Sequence, residues 1–232
     1  SISFNLSSNG PRLSIKDSRF HIVSQDKTET LEQTSLDVVI VGANPGLAKQ
    51  YYEGEFSADR ESYTPDCYSL DGITPNKNSA LIQSDVCALC SQNSWGSRVT
   101  PQGFKVKACS DIKRLAITFA DKPKEIYLLQ VTPSSLKSLN AYQKTLSMRG
   151  IAPEISKTTL SFDTEVTFPK LKFKFGGLVS KDAQSYVDSI IDADVVKMVT
   201  GELAVTNKPT TPAEEYGFTD EVGYTINNKS ED

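Results

Sequence analysis

The 232-residue chain has one histidine, His21, and one tryptophan, Trp95. A single histidine excludes two-histidine zincin centres, most facial triads and any site built on a His pair. No run of about 18 apolar residues is present, so no transmembrane helix and no membrane partner are expected. Residues 1–10 show no basic stretch leading into an apolar one, so no secretion signal is read there and a cytoplasmic location is expected. No 20–50-residue repeat is evident. No Ser-His-Asp order, carboxylate pair or metal-nuclease spacing stands out, and the chain is read as not an enzyme. Residues 42–49 (Gly-Ala-Asn-Pro-Gly-Leu-Ala-Lys) lack the glycine spacing and the Lys-Ser/Thr pair of a phosphate loop, and read as an ordinary loop.

Net charge is also small, at −4, but it is unevenly placed. The last twenty residues hold six acids (Glu214, Glu215, Asp220, Glu221, Glu231, Asp232) and one base, Lys229. Positions 1–212 then carry 24 bases and 23 acids. The acidic stretch follows Lys208-Pro209-Thr210-Thr211-Pro212, and residues 208–232 are expected to form a disordered acidic tail. Such a tail is either a solubiliser or an arm that binds partners and competes for a basic groove. Overall acidity therefore does not exclude a nucleic-acid-binding body.

Four cysteines are present: Cys67, Cys87, Cys90 and Cys109. Two residues separate the middle pair, and the outer two lie at nearly equal distances on either side. Without a secretion signal, a metal site is a better reading than a disulfide framework. Four thiolates close a zinc shell with no open position, so the expected role is structural. Thiolate-only ligation also admits an iron–sulfur cluster, and a redox pair at Cys87 and Cys90 competes with both. Pro65, Gly72, Pro75, Gly96, Pro101 and Gly103 punctuate the stretch, which buries little apolar surface, so a metal could supply its folding energy. Between Ser91 and Arg114, Arg98, Lys105, Lys107, Lys113 and Arg114 face Asp111 alone, with Trp95 and Phe104 interleaved. Cations and flat rings are what phosphates and bases require. The alternative is that both rings pack under the metal loop.

Hydrophobic alternation predicts strands at 2–6 and 13–23, with a turn at Gly10-Pro11, then strands at 36–41, 115–119, 126–131, 158–162 with extensions to 168, and 170–175. Helices are expected over 133–150, capped by Ser134 or Ser135 and stopped by Gly150, and over 182–200. In the Lys-Leu-Lys-Phe-Lys-Phe strand, Lys170, Lys172 and Lys174 share one face. They mark either a phosphate-tracking groove or a protected edge. His21 sits in an alternating strand and reads as a surface or satisfied core residue. The cysteine segment, residues 53–114, looks like an insertion between strands of a β domain.

Several of these pieces form a pattern. Pro65-Asp66-Cys67-Tyr68-Ser69-Leu70-Asp71-Gly72-Ile73-Thr74-Pro75 is followed by Cys87, Cys90, Asn93 and Trp95-Gly96-Ser97. Then come Lys107-Ala108-Cys109, Arg114-Leu115-Ala116, Thr132-Pro133-Ser134-Ser135-Leu136-Lys137 and the lysine strand. Over roughly residues 36–200 this resembles single-stranded DNA-binding proteins of tailed bacteriophages. The resemblance implies an α+β, β-dominated fold: an oligonucleotide-binding (OB-fold-like) barrel over 1–207 with a zinc knuckle inserted at 53–114, two helices and an acidic C-terminal tail. It departs from the best-known members in offering four cysteines and no histidine, and in ending Lys-Ser-Glu-Asp without a terminal aromatic. It implies structural Zn2+ on Cys67, Cys87, Cys90 and Cys109. It also implies sequence-independent binding of single-stranded DNA in phage replication or recombination, in the cytoplasm of the infected host, with replication proteins as partners of the tail. The expected contacts are Tyr51, Tyr52, Trp95, Arg98, Phe104, Lys105, Lys107, Lys113, Arg114, Lys170, Lys172 and Lys174. A protein–protein adaptor stabilised by zinc, for phage transcription or virion assembly, is the alternative.

Overall fold

A computed structural model describes residues 10–24, 27–54, 64–123 and 125–203. The predicted strand at 2–6 and the acidic tail at 208–232 lie outside them. The described residues fold into a β-dominated α+β structure, with one large sheet curled into a half-barrel and three α-helices. Its path is β12 (Leu171–Leu178), β11 (Ser156–Phe162), β4 (Ser35–Ala43), β9 (Cys109–Phe119), β10 (Tyr127–Val131), β1 (Arg12–Lys16), β2 (Arg19–Ser24) and β3 (Lys27–Thr30). β5 (Ala48–Tyr51) pairs with the first half of β9, and β6 (Cys67–Ser69) pairs with β5. A separate two-stranded ribbon joins β7 (Arg98–Val99) to β8 (Lys105–Val106). No helix among the described residues is long and apolar enough to cross a membrane.

β4 reads as a nearly unbroken apolar run because both its faces are covered. Leu36, Val38 and Ile40 enter a core shared with β9–β12 and α1 (Pro133–Met148). Val39 and Val41 face the other way, onto Val187 of α2 (Lys181–Ile190) and Val196 of α3 (Asp194–Thr200). Gly42 permits the second contact: a Cβ there would come within 2.4 Å of Val196 Cγ1.

Four sequence expectations change. The single strand expected over 13–23 is a hairpin, β1–β2, whose two-residue turn at Asp17-Ser18 has φ of 52° and 53°. This is a primed turn formed without glycine, which is why it was not legible. The single helix expected over 182–200 is broken at 191–193 into α2 and α3. Val187 and Val196 are nine residues apart, which puts them on opposite sides of a straight helix. The break lets both meet the same sheet face. Helix α1 begins at Pro133 after Thr132, and neither serine caps it. Its end is as expected: Gly150 at φ 63° closes a Schellman motif, with Gly150 N–H on Ser147 O and Ile151 N–H on Leu146 O. Finally, the strand expected from Leu115 begins at Cys109, so Lys113 and Arg114 lie within β9.

Ser135 and Ser138 of α1 serve β12 instead. β12 ends the sheet, and Ser135 Oγ accepts the Leu171 N–H at 2.9 Å while Ser138 Oγ accepts the Phe173 N–H at 3.1 Å. The helix thereby covers part of an otherwise open edge. Ser135→Ala leaves a buried amide unpaired and is expected to cost about 1–3 kcal/mol, read from urea unfolding. An unchanged unfolding midpoint would contradict this role.

Candidate functional site

The strand register sets the positions of two cysteines. Tyr51 on β5 lies opposite Cys67 on β6 and Cys109 on β9, so the three share one face of the strands. Tyr51, Cys67, Ala108 and Cys109 form a small buried cluster. Cys87 opens a single 3₁₀ turn, Cys87–Leu89, whose end is closed by Cys90 N–H on Cys87 O. A bond from Cys87 N–H to Ile73 O at 2.9 Å ties this turn to the preceding loop. All four thiols are buried and free, and all four line one cavity of about 20 Å³. That is room for one small occupant. As the side chains stand, no group of three or more His, Cys, Asp or Glu residues among the described residues is arranged to hold a metal ion. The donor chemistry nonetheless fits a soft divalent ion: four buried thiols and, among the described residues, no competing carboxylate on the wall. Burial pushes the Cys109 thiol up to about 11, with Lys49 opposing and the other three cysteines adding to the rise. Burial raises Cys87 as well, against the Ser69 hydroxyl.

Around the cavity runs a polar network that the sequence did not reveal. Lys49 Nζ reaches Asp111 Oδ1 at 2.5 Å and Asn93 Oδ1 at 3.2 Å. Lys107 Nζ reaches Asp111 Oδ2 at 3.2 Å and the same Asn93 oxygen at 3.3 Å. Asn93 Nδ2 donates to Cys87 O at 2.9 Å, which links the network to the cysteine turn. Burial alone would raise the Asp111 carboxyl, but the two lysines hold it below the usual range.

The expected nucleic-acid contacts divide into two groups. Most are tied to the protein. Tyr51 is buried, and Arg98 lies 5.9 Å over its ring while donating to Tyr52 O at 2.5 Å. Lys107 belongs to the Asp111 network. Lys113 donates to the carbonyls of Asn44, Pro45 and Gly46. Arg114 donates to Val199 O at 2.9 Å and Thr200 O at 3.2 Å, closing the C-terminus of α3, and burial lowers it to about 10. Lys170 and Lys172 both reach Asp163 at 2.8 Å, and Lys174 is exposed on the edge strand. Of the two readings of the lysine strand, the protected edge describes its place in the sheet. The second group is exposed. Trp95 is 74% exposed and Phe104 69%, and Lys105 beside them forms no ion pair among the described residues. The alternative in which both rings pack beneath the cysteine loop is therefore not what the fold adopts. β7 and β8 carry Phe104 and Lys105 on a ribbon whose base is fastened by Ala108 N–H on Ser97 Oγ at 2.8 Å. His21 is a surface residue, bonded through Nδ1 to Thr30 Oγ1 and through Nε2 to Lys16 O.

A larger cleft of about 830 Å³ opens at the mouth of the half-barrel, between Ile22 and Leu31 on one side and Leu36 and Lys157 on the other. Among the described residues its charged lining has Asp37, Asp121 and Glu125 beside Lys122 and Lys157. Comparison with protein-family models, curated proteins and solved structures finds no match for the chain.

Hydrogen bonds from Lys170 and then Lys172 hold the Asp163 carboxyl well below the ordinary carboxylate range. A lowered native pKa contributes stability that is fully present above the unfolded value of about 4 and is lost as pH falls through the native value. The stability gap between the natural chain and Asp163→Asn, read from urea midpoints, is therefore expected to be wide at pH 7 and to narrow below about pH 4. A gap independent of pH would contradict the pairing.

Proposed function

We propose that this chain binds single-stranded nucleic acid, in the first place DNA, with little sequence preference, through its cysteine module. The observation that carries the reading is the exposure of Trp95 and Phe104 beside Lys105, which has no ion pair among the described residues, on a ribbon anchored to that module. Large rings are costly to leave in water, and bases stack on such rings at about 1–3 kcal/mol each. The half-barrel is an OB-fold-like platform on this proposal, and the rings it displays lie on the insertion. The four cysteines would hold a structural Zn2+, which orients Trp95 between Cys90 and Cys109. With a tailed-phage origin, the role is DNA replication or recombination in the infected host's cytoplasm, and the acidic residues 213–232 recruit replication proteins.

A second reading rests on a different observation. Leu89, between Cys87 and Cys90, is 82% exposed, and Ile73, tied to the same turn, is also exposed. These aliphatic groups suit a protein surface better than a base, and they support an adaptor role for the module.

Metal analysis tests the centre: about one zinc per chain is expected, with Cys87→Ser or Cys90→Ser releasing it and loosening the module while the half-barrel partly survives. Far less than one ion in the natural chain would contradict the zinc assignment. Binding is tested with an oligonucleotide a few tens of bases long, titrated at several salt concentrations beside a duplex control. Log affinity is expected to fall linearly with log salt, and Trp95→Ala to weaken binding by about 10–100-fold, in line with one lost stacking partner. No binding at low salt by zinc-loaded protein would overturn the nucleic-acid reading and leave the adaptor.

A further inference from the structure

Lys49 is an uncommon neighbour for four thiols. Its side chain is only 13% exposed, and it lines the cavity with Cys67, Cys87, Cys90 and Cys109. A buried ammonium is stable only where opposite charge and acceptors surround it. Those around Lys49 are shared. Asp111 is the one carboxylate for both Lys49 and Lys107, and the one Asn93 oxygen also accepts from both. Two ammonium groups on one carboxylate leave one positive charge over. Among the described residues, the cavity wall contains no carboxylate. Asp71 does not line the cavity; it accepts from Ser69 Oγ at 2.8 Å, Ile73 N–H at 2.8 Å and Thr74 N–H at 3.1 Å, and its charge is felt at Cys87. When the four sulfurs bond an ion as thiolates, they bring negative charge to the cavity that the Lys49 ammonium lines.

We infer that Lys49 is the built-in counter-charge of the cavity, a positioning residue that sets how tightly a divalent ion is held by the four sulfurs. Four thiolates and one divalent ion leave a double negative charge, and the net positive charge of the Lys49–Asp111–Lys107 group, presented at the cavity by Lys49, offsets part of it. On binding, each cysteine releases its proton to solvent as its sulfur bonds the ion. Lys49 is anchored from behind by Asp111, which Lys107 holds in turn, so its ammonium stays at the cavity instead of turning to water. The inference rests on the zinc reading above. It adds a residue outside the cysteine motif, and that residue decides affinity without touching the ion.

The test uses the full chain, with Zn2+ affinity measured by competition against a chromophoric chelator and with Co2+ as a spectroscopic probe of the ligand set. Lys49→Met is expected to keep the four-thiolate Co2+ spectrum and to bind Zn2+ about 10–100-fold more weakly, the usual effect of removing a supporting outer group. Lys49→Arg keeps the charge and is expected to stay close to the natural affinity, which guards against a Met variant that fails to fold. Lys107→Met, one step further from the sulfurs, is expected to weaken binding less than Lys49→Met. Natural affinity in folded Lys49→Met, or an Arg variant as weak as the Met one, would overturn the inference and leave the zinc reading intact. A natural chain that takes up no Zn2+ would overturn both.

Discussion

The structure depends on one long strand. β9 is eleven residues long and belongs to two assemblies at once. Its first half pairs with β5 and starts at Cys109 on the thiol cavity. Its second half lies between β4 and β10 in the half-barrel, with Leu115 and Ile117 fully buried in the main core. Whatever orders the thiol cavity therefore orders the end of a core strand, and the core in turn supplies a rigid base for the cysteine module. Arg114 and Lys113, halfway along β9, fasten the junction: one closes α3 and the other gathers the carbonyls of the 44–46 turn.

The same geometry explains why the module's positive charge is less available than its sequence suggests. A net charge of +4 between Ser91 and Arg114 is real, yet Arg98, Lys107, Lys113 and Arg114 each hold a backbone oxygen or a carboxylate. Of the five cations in that stretch, Lys105 is the one exposed without an ion pair among the described residues, beside the exposed rings of Trp95 and Phe104. On the proposed function, the module contributes stacking more than phosphate neutralisation, and its salt dependence should be shallow for a protein with 25 basic residues.

How much was legible varied with the range of the interaction. Local chemistry read well: the Gly150 helix stop, the alternation of Leu171 and Phe173 against Lys172, and a cysteine set that gathers on one cavity. Pairing across the chain did not. Nothing local shows that Tyr51 lies between Cys67 and Cys109, that Lys49 faces sulfurs up to sixty residues away, or that Ser135 holds an edge amide of β12 rather than capping its own helix. The broken second helix was hidden for a related reason. Its two apolar stripes, around Val187 and Val196, make sense only once both are seen to cover Val39 and Val41. The two readings left open for Trp95 and Phe104 could be separated only by their exposure, which no sequence pattern encodes.

The central claim is that the thiol cavity holds Trp95 exposed for stacking, and the emission of that single tryptophan reports on it directly. The most direct measurement is Trp95 fluorescence during titration with a single-stranded oligonucleotide at low salt, first with zinc-loaded protein and then after the ion is removed with a chelator. Strong, saturable quenching that weakens sharply on metal removal is the predicted result. Emission that does not respond to the oligonucleotide, or that responds identically with and without the ion, would contradict the account.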